Sequence, residues 1–363
     1  MRLVIYVVRR LLILIPTLIG VTIITFALSH ASGPNLAIAL YCTPKSGPCT
    51  IDNPLLQPIV EQFHLRDPVP VQYIYYLRGL LQGDWGYTTS AVKGGMPVSQ
   101  AVAIYFPQTI ELAIASTFFA TLIGIPTGSL SALRKDKLSD HATRVFALVG
   151  YSIPLFWLAL LLQIAAISII PGWPITGGYT PSTISPSSEP WAFLDLGSGT
   201  FQLYSQPTHF LILDAAIHGS WSVFFDALRH LVLPTATLTF GILGVILRMV
   251  RSGMVDSMNQ DYVKTAWAKG LPEWVVTRTH IRRNALLPAA TVIGLLFAGL
   301  LGGVVLVEDV FAWPGIGYWA TQAVLGFDAG GIMGTTLIFA IFLVLINLVA
   351  DVLYAYLDPR ISL

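Results

Sequence analysis

Charged residues are scarce: Asp, Glu, Lys and Arg together make up 11% of the 363 residues, where soluble domains carry about 25%. That is too few to coat a water-exposed globule of this length. The formal net charge of +1 leaves no broad basic surface for nucleic acid. No lysine follows a glycine anywhere in the chain, so the Walker A phosphate loop is excluded and with it ATP hydrolysis by that route. H-E-x-x-H, C-x-x-C and G-x-S-x-G are also missing, and the histidines are scattered without metal-ligand spacing. These absences argue against a membrane enzyme and predict neither a metal nor a cofactor in this chain. Acidic residues near the middle of apolar runs, or interrupted inverted repeats, mark ion-driven transporters; neither is found. If the chain moves a solute alone, as a secondary transporter or channel, it does so without those marks.

What is present instead is apolar length. The chain is 55% hydrophobic with a mean hydropathy of +0.71. A helix rises about 1.5 Å per residue, so a hydrocarbon core of about 30 Å takes roughly 20 apolar residues. Six runs meet or approach that length without a charge: Leu11–Leu28, Leu112–Leu133, Val145–Ile170, Leu231–Leu247, Ala285–Val307 and Ile332–Ala350. A closed barrel shows short alternating segments, so these read as helices. The expected fold is an all-α polytopic membrane protein with about six transmembrane helices. The alternative, buried core helices of a large soluble protein, needs surface charge that the chain lacks. The first run follows the basic start "MRLVIYVVRR", as a signal peptide does, but it is long for one and no small-residue cleavage site follows cleanly. It reads as a retained span.

Lysine and arginine collect on the cytoplasmic side of membrane proteins. With the N-terminus inside, fifteen of the twenty basic residues fall on inner segments, and only Lys45, Arg66, Arg78, Lys93 and Arg229 fall outside. The expected topology is multi-pass in the cell membrane with both termini cytoplasmic. Residues 1–29 are the first helix, 30–107 an extracytoplasmic segment, and 108–363 a five-helix core with an outer loop at 171–229. Cys42 and Cys49, in "YCTPKSGPCT", fall in the first outer segment, where a disulfide persists if it forms; two free thiols are the other reading.

The outer segment carries "VQYIYYLRGLLQGDWGY", with aromatics of the kind enriched at membrane interfaces. It reads as a short helix ending near Gly83. The second outer segment is rich in Pro, Gly, Ser and Thr and reads as loops with a small helix near 208–217. Glu111, Asn347 and Asp351 are read as interhelical or snorkelling groups near span ends. Glycines 294, 299, 302 and 303 allow close helix approach.

One segment breaks the pattern. "DYVKTAWAKGLPEWVVTRTHIRRNALLP", residues 261–288, concentrates charge and mixes in Tyr, Trp and Leu. Asp261 suits the start of a short helix, and Gly270 its left-handed end. Pro272 and Glu273 suit the first turn of a second helix that runs on toward the membrane. The product is a helix–turn–helix elbow between the fourth and fifth spans, within 256–286. Tyr262 and Ala266 share a face at i, i+4, as do Leu271 and Val275, with Trp267 and Trp274 adding two large rings. An exposed elbow so furnished reads either as a docking surface or as a segment lying flat in lipid headgroups.

Residues along nearly the whole chain resemble the transmembrane permease subunits of ATP-binding-cassette importers, in the oligopeptide/dipeptide branch. The resemblance is carried in order by "RRLLILIPTLIGVTIITFAL", "HLRDPVPVQYIYYLRGLLQGDWGYT", "LRHLVLPTATLTFG", "MVRSGMVDSMNQDYVKTAWAKGL", "RNALLPAATVIGLLFAGLLGGVVLVEDVFAWPGIG" and "NLVADVLYAYLDPRI". It implies that Asp261, Tyr262, Ala266, Ala268, Gly270 and Leu271 form a coupling elbow seated in a cleft of an ATPase subunit. The implied partners are a second similar permease, two ATPases that bind ATP and Mg, and an extracytoplasmic solute-binding protein. Peptides are the implied cargo, with oligosaccharides carried by relatives. Trp267 departs from the family, which commonly has Arg there, and "FDAGG" at 327–331 replaces its Asp-x-Pro.

Overall fold

The computed structural model describes residues 2–31, 52, 57–62, 64, 66–88, 90, 95–180, 193–195, 201–203, 208–302 and 304–357. The Cys42 and Cys49 pairing lies outside the described residues.

The described chain is helical throughout its apolar stretches. In order, α1 is Arg2–Ala31, α2 Gln57–Gln62, α3 Val69–Gln82, α4 Val98–Leu133, α5 Leu138–Ser152, α6 Leu155–Ile169 and α7 Leu211–Ile217. Then follow α8 (Trp221–Met258), α9 (Asp261–Ala268), α10 (Glu273–Val275), a π-helical stretch Val276–Arg282, α11 (Arg283–Leu301), α12 (Val305–Val310), α13 (Ile316–Leu325) and α14 (Ala329–Leu357). Two small antiparallel hairpins complete the list: β1 (Tyr87–Thr88) with β2 (Met96–Pro97), and β3 (Phe193–Asp195) with β4 (Phe201–Leu203).

Among the described residues, four helical stretches are long and apolar enough to cross a membrane by themselves: Val98–Leu133, Trp221–Met258, Glu273–Leu301 and Gly330–Leu348. They overlap the second, fourth, fifth and sixth expected spans. The first expected span lies in α1, whose described apolar part is Ile15–Ala27.

The third expected span is corrected. Val145–Ile170 is not one helix; α5 and α6 meet at a bend of 103°. Pro154 is the cause. It clashes with a helical conformation at the residue before it, and Ile153 accordingly sits in extended backbone at φ −78, ψ 127. Pro154 itself caps the start of α6. The fifth span is corrected at its far end, because α11 stops at Leu301 and α12 starts afresh at Val305. Glycine is a poor helix former, and Gly302 takes the capping position with its N–H on Ala298 O at 3.2 Å. The small helix expected near 208–217 is α7, and the helix expected to end near Gly83 is α3, closed by Gly83 at φ 83.

In lipid the outside of a bundle is as apolar as its inside, so helices associate through close packing rather than burial from water. The exposed faces fit such a solvent: Phe118, Leu148 and Ile164 are 59%, 65% and 61% exposed. α8 is the central post, packed on α4, α5 and α11. A side chain at Gly124 on α4 would come within 2.7 Å of Ile246, and one at Gly244 on α8 within 2.6 Å of the Ala147 carbonyl. The close approaches therefore fall at these positions. Of the glycines expected to allow such approach, a side chain at Gly294 or Gly299 would meet nothing of this chain within 4 Å, one at Gly302 only its own helix, and Gly303 lies outside the described residues.

Two buried carboxylates pin the segments flanking α13. Glu308 Oε2 accepts the N–H groups of Gly317 (2.7 Å) and Tyr318 (3.1 Å), and Oε1 accepts the Thr109 hydroxyl at 2.8 Å. Thr109 in turn accepts the Ile316 N–H at 2.9 Å, which commits its proton to Glu308. Asp328 accepts the Ser90 N–H at 2.8 Å, the Thr88 and Ser90 hydroxyls, and the Gly331 N–H at 3.0 Å. It thereby caps the start of α14 and ties the first hairpin to it. Burial alone raises the Asp328 pKa, but these hydrogen bonds outweigh it and hold the carboxyl below its ordinary range.

Candidate functional site: an elbow between two long helices

The charged stretch singled out in the sequence folds as an elbow between α8 and α11. α9 runs Asp261–Ala268, and Gly270 turns the chain in the left-handed region at φ +71. The turn is closed by Gly270 N–H to Trp267 O at 2.9 Å and Leu271 N–H to Ala266 O at 3.4 Å, which satisfies carbonyls that the helix end leaves open. Pro272 stands at the N-cap of α10 with φ −65, and α10 runs through the π-helical stretch into α11 without a break. Asp261 receives Lys264 Nζ at 2.8 Å, and this hydrogen bond lowers its carboxyl pKa.

The elbow has two faces of different character. Val263, Ala266, Val276 and Ile281 are buried in the main core together with Met254 of α8 and Ala285 of α11. Leu271 packs against the same cluster. On the other face Tyr262, Trp267 and Trp274 are 40%, 46% and 67% exposed. Asp261, Ala268 and Gly270 are exposed too. So the structure separates two residues the i, i+4 spacing had put on one face: Tyr262 is presented outward and Ala266 lies beneath, 4% exposed. Ala266 pairs inward with Val263 at i, i+3 instead. Val275, read with Leu271, is half-buried.

A polar knot beside the elbow was not picked out by the sequence reasoning. Asp140, fully buried at the start of α5, takes both edges of Arg251 from α8, Nε at 2.6 Å and Nη2 at 2.8 Å. Ser131 Oγ donates at 2.6 Å and the Asp136 N–H at 3.0 Å, with Arg144 Nη2 at 3.5 Å. Oppositely charged residues are few enough in this chain that an Asp and an Arg flanking apolar spans carried the signal. Their separation of 111 residues hid the pairing. Among the described residues, no cluster of three or more His, Cys, Asp or Glu could hold a metal ion.

Residues 124–363 match the family "Binding-protein-dependent transport system inner membrane component". The chain is 38% identical over 349 residues to the probable D,D-dipeptide transport system permease protein DdpB of Escherichia coli strain K12, covering 94% of this chain and 93% of that one. It is 36% identical over 357 residues to the dipeptide transport system permease protein DppB of the same strain, covering 98% of each. The oligopeptide transport system permease protein AppB of Bacillus subtilis strain 168 is likewise 36% identical over 357 residues, covering 98% of this chain and 99% of its own. The chain therefore belongs to the binding-protein-dependent transport inner-membrane family, and is a multi-pass permease subunit of an ATP-binding-cassette importer.

Proposed function

We propose that this permease forms half of a translocation pathway for peptides, the cargo named for its relatives. The other half is a second homologous permease. Two ATPase subunits, which bind ATP and Mg, supply the energy, and an extracytoplasmic solute-binding protein delivers the cargo. The sequence of the chain carries no Walker A loop, which fits an energy source in those partners. Both termini and the elbow face the cytoplasm, and residues 108–363 form the permease core.

Asp261, Tyr262, Ala266, Trp267, Ala268, Gly270 and Leu271 make the handle on which an ATPase pulls. One observation carries this reading: the exposed rings of Tyr262, Trp267 and Trp274 sit on an elbow whose underside belongs to the same packed core as α8 and α11. A push on the rings is transmitted to two membrane crossings. Exposed aromatic clusters are docking anchors more often than solvated loops. Within the set, Tyr262 and Trp267 make contact, while Ala266 and Leu271 hold the elbow to the core.

The test is the whole importer in liposomes, with Trp267→Glu and Trp274→Glu introduced together. Uptake and peptide-stimulated ATP hydrolysis are expected to fall to background while the subunit still reaches the membrane in normal amount. Wild-type coupling in that variant would remove the docking role. Flux through the purified permease alone, with no ATPase present, would instead favour a secondary transporter or channel.

A further inference from the structure

A second feature lies at the same end of α8. Between α5 and α8 is a cleft of about 410 Å³, lined by Arg144, Leu148, Tyr151, Gly244, Arg248 and Arg251 among others. Its floor is low because Gly244 lets the α8 backbone lie against the Ala147 carbonyl. Arg251 is neutralised by Asp140. Arg144 stands 3.5 Å from the same carboxylate, which two guanidinium groups then share. Arg248 lies over the Tyr151 ring at 5.9 Å and forms no ion pair among the described residues. Ser252, also on the lining, donates its hydroxyl to Asp256 at 3.5 Å. Asp140 and Asp136 thus answer Arg251, Arg144 shares Asp140, and Arg248 is left as a positive charge open to an anion.

Apolar surface continues from it. Val145, Leu148 and Tyr151 recur at i, i+3 and i+6 on α5 and are 61%, 65% and 68% exposed. They form one stripe along the helix. A basic pocket between membrane helices beside an exposed apolar stripe is complementary to one chemistry: an anionic headgroup with an attached acyl chain. The stripe is lipid-facing surface that runs up to the arginines, so a lipid can use both at once, where a free phosphate uses only the arginines.

We propose that this cleft binds an anionic phospholipid of the inner leaflet, with the phosphate held by Arg248 and Arg144 and an acyl chain along Val145, Leu148 and Tyr151. The proposal goes beyond the transport role and does not depend on how the elbow docks, but its inner leaflet rests on the proposed cytoplasmic side of the elbow.

The test uses the assembled importer, purified in mild detergent, with retained lipid counted by native mass spectrometry. Wild type is expected to retain phosphatidylglycerol in preference to phosphatidylcholine, and to melt at a higher temperature when phosphatidylglycerol is added. Arg248→Gln is expected to lower retention about five-fold, and Arg144→Gln with Arg248→Gln further still. Arg248→Lys should keep most of it. Leu148→Glu, with every arginine intact, should lower it as well, which a simple anion site would not show. Equal retention in the double variant overturns the proposal. So does displacement of the lipid by inorganic phosphate, which makes the cleft a soluble-anion site. A raised KM for peptide with unchanged lipid retention overturns it too, assigning the cleft to the cargo's carboxylate.

Discussion

Arg251 grips Asp140 with two parallel hydrogen bonds of 2.6 and 2.8 Å across 111 residues of chain. The pair clamps the α4–α5 corner to the part of α8 that leads into the elbow. A buried pair contributes little net stability over a well-packed apolar pair, but removing one partner strands the other charge. Arg251→Met leaves Asp140 with Arg144, Ser131 and the Asp136 N–H, and is expected to destabilise the subunit by about 1–3 kcal/mol. Replacing both, as Asp140→Leu with Arg251→Met, should recover most of that. Thermal unfolding of the detergent-purified complex reads both. A double variant no better than the single one would show that the clamp does more than neutralise charge.

Gly270 has open space where a side chain would go, yet its φ of +71 is one that branched residues avoid. The expected cost of Gly270→Val is thus conformational, about 1–2 kcal/mol, and falls on the turn. Gly270→Asn, which tolerates that conformation, should behave nearly as wild type. The measurement is peptide-stimulated ATP hydrolysis in liposomes. Equal losses for Val and Asn would show that side-chain volume against the partner matters, and not the turn.

A side chain at Gly315 would come within 2.4 Å of the Glu308 carboxylate. Gly315→Ala is expected to cost about 1–3 kcal/mol by overpacking. Glu308→Gln should cost a similar amount, about 1–3 kcal/mol, because its amide turns a donor toward donors. The two should be strongly non-additive, since each disrupts the same contact. Unfolding midpoints of the single and double variants decide it; simple addition would contradict the geometry.

The punctuation of the chain was legible from residue type alone. Gly83 and Gly270 end helices because few other residues take a positive φ, and Pro272 opens one because its φ is preset. The same logic reveals the corner at Ile153–Pro154, but an unbroken apolar run masks it: composition reports solvent and says nothing of direction. Pairings were not legible. Asp140 with Arg251, Glu308 with Thr109, and Asp328 with Thr88 join residues that no local period relates. The faces of short helices were legible only in part. Tyr262 and Ala266 sit 40° apart by helical geometry, which is enough for one to be covered and the other not when the partner surface is supplied by distant residues.

Asp328 gives a pH signature. Its carboxyl is held below the ordinary range by the bonds from Thr88, Ser90 and Gly331. A depressed acid contributes stability that is complete above its unfolded pKa, about 3.9 for aspartate, and is lost as pH falls through the folded value. The melting temperature of Asp328→Asn should therefore lie below wild type at pH 7. The gap should narrow as the pH is taken below about 4. A gap that is constant or widens on acidification would mean that the ionised carboxyl is not what anchors the hairpin.

At 38 residues and about 1.5 Å per residue, α8 is a rod of about 57 Å, nearly twice the hydrocarbon thickness of about 30 Å. Its elbow end is thus a lever tip. A tilt of about 5° about the far end swings that tip by about 5 Å, close to one helical turn. On the proposed docking, a small angular change of α8 beyond Pro234 inside the bilayer becomes an ångström-scale stroke at the elbow.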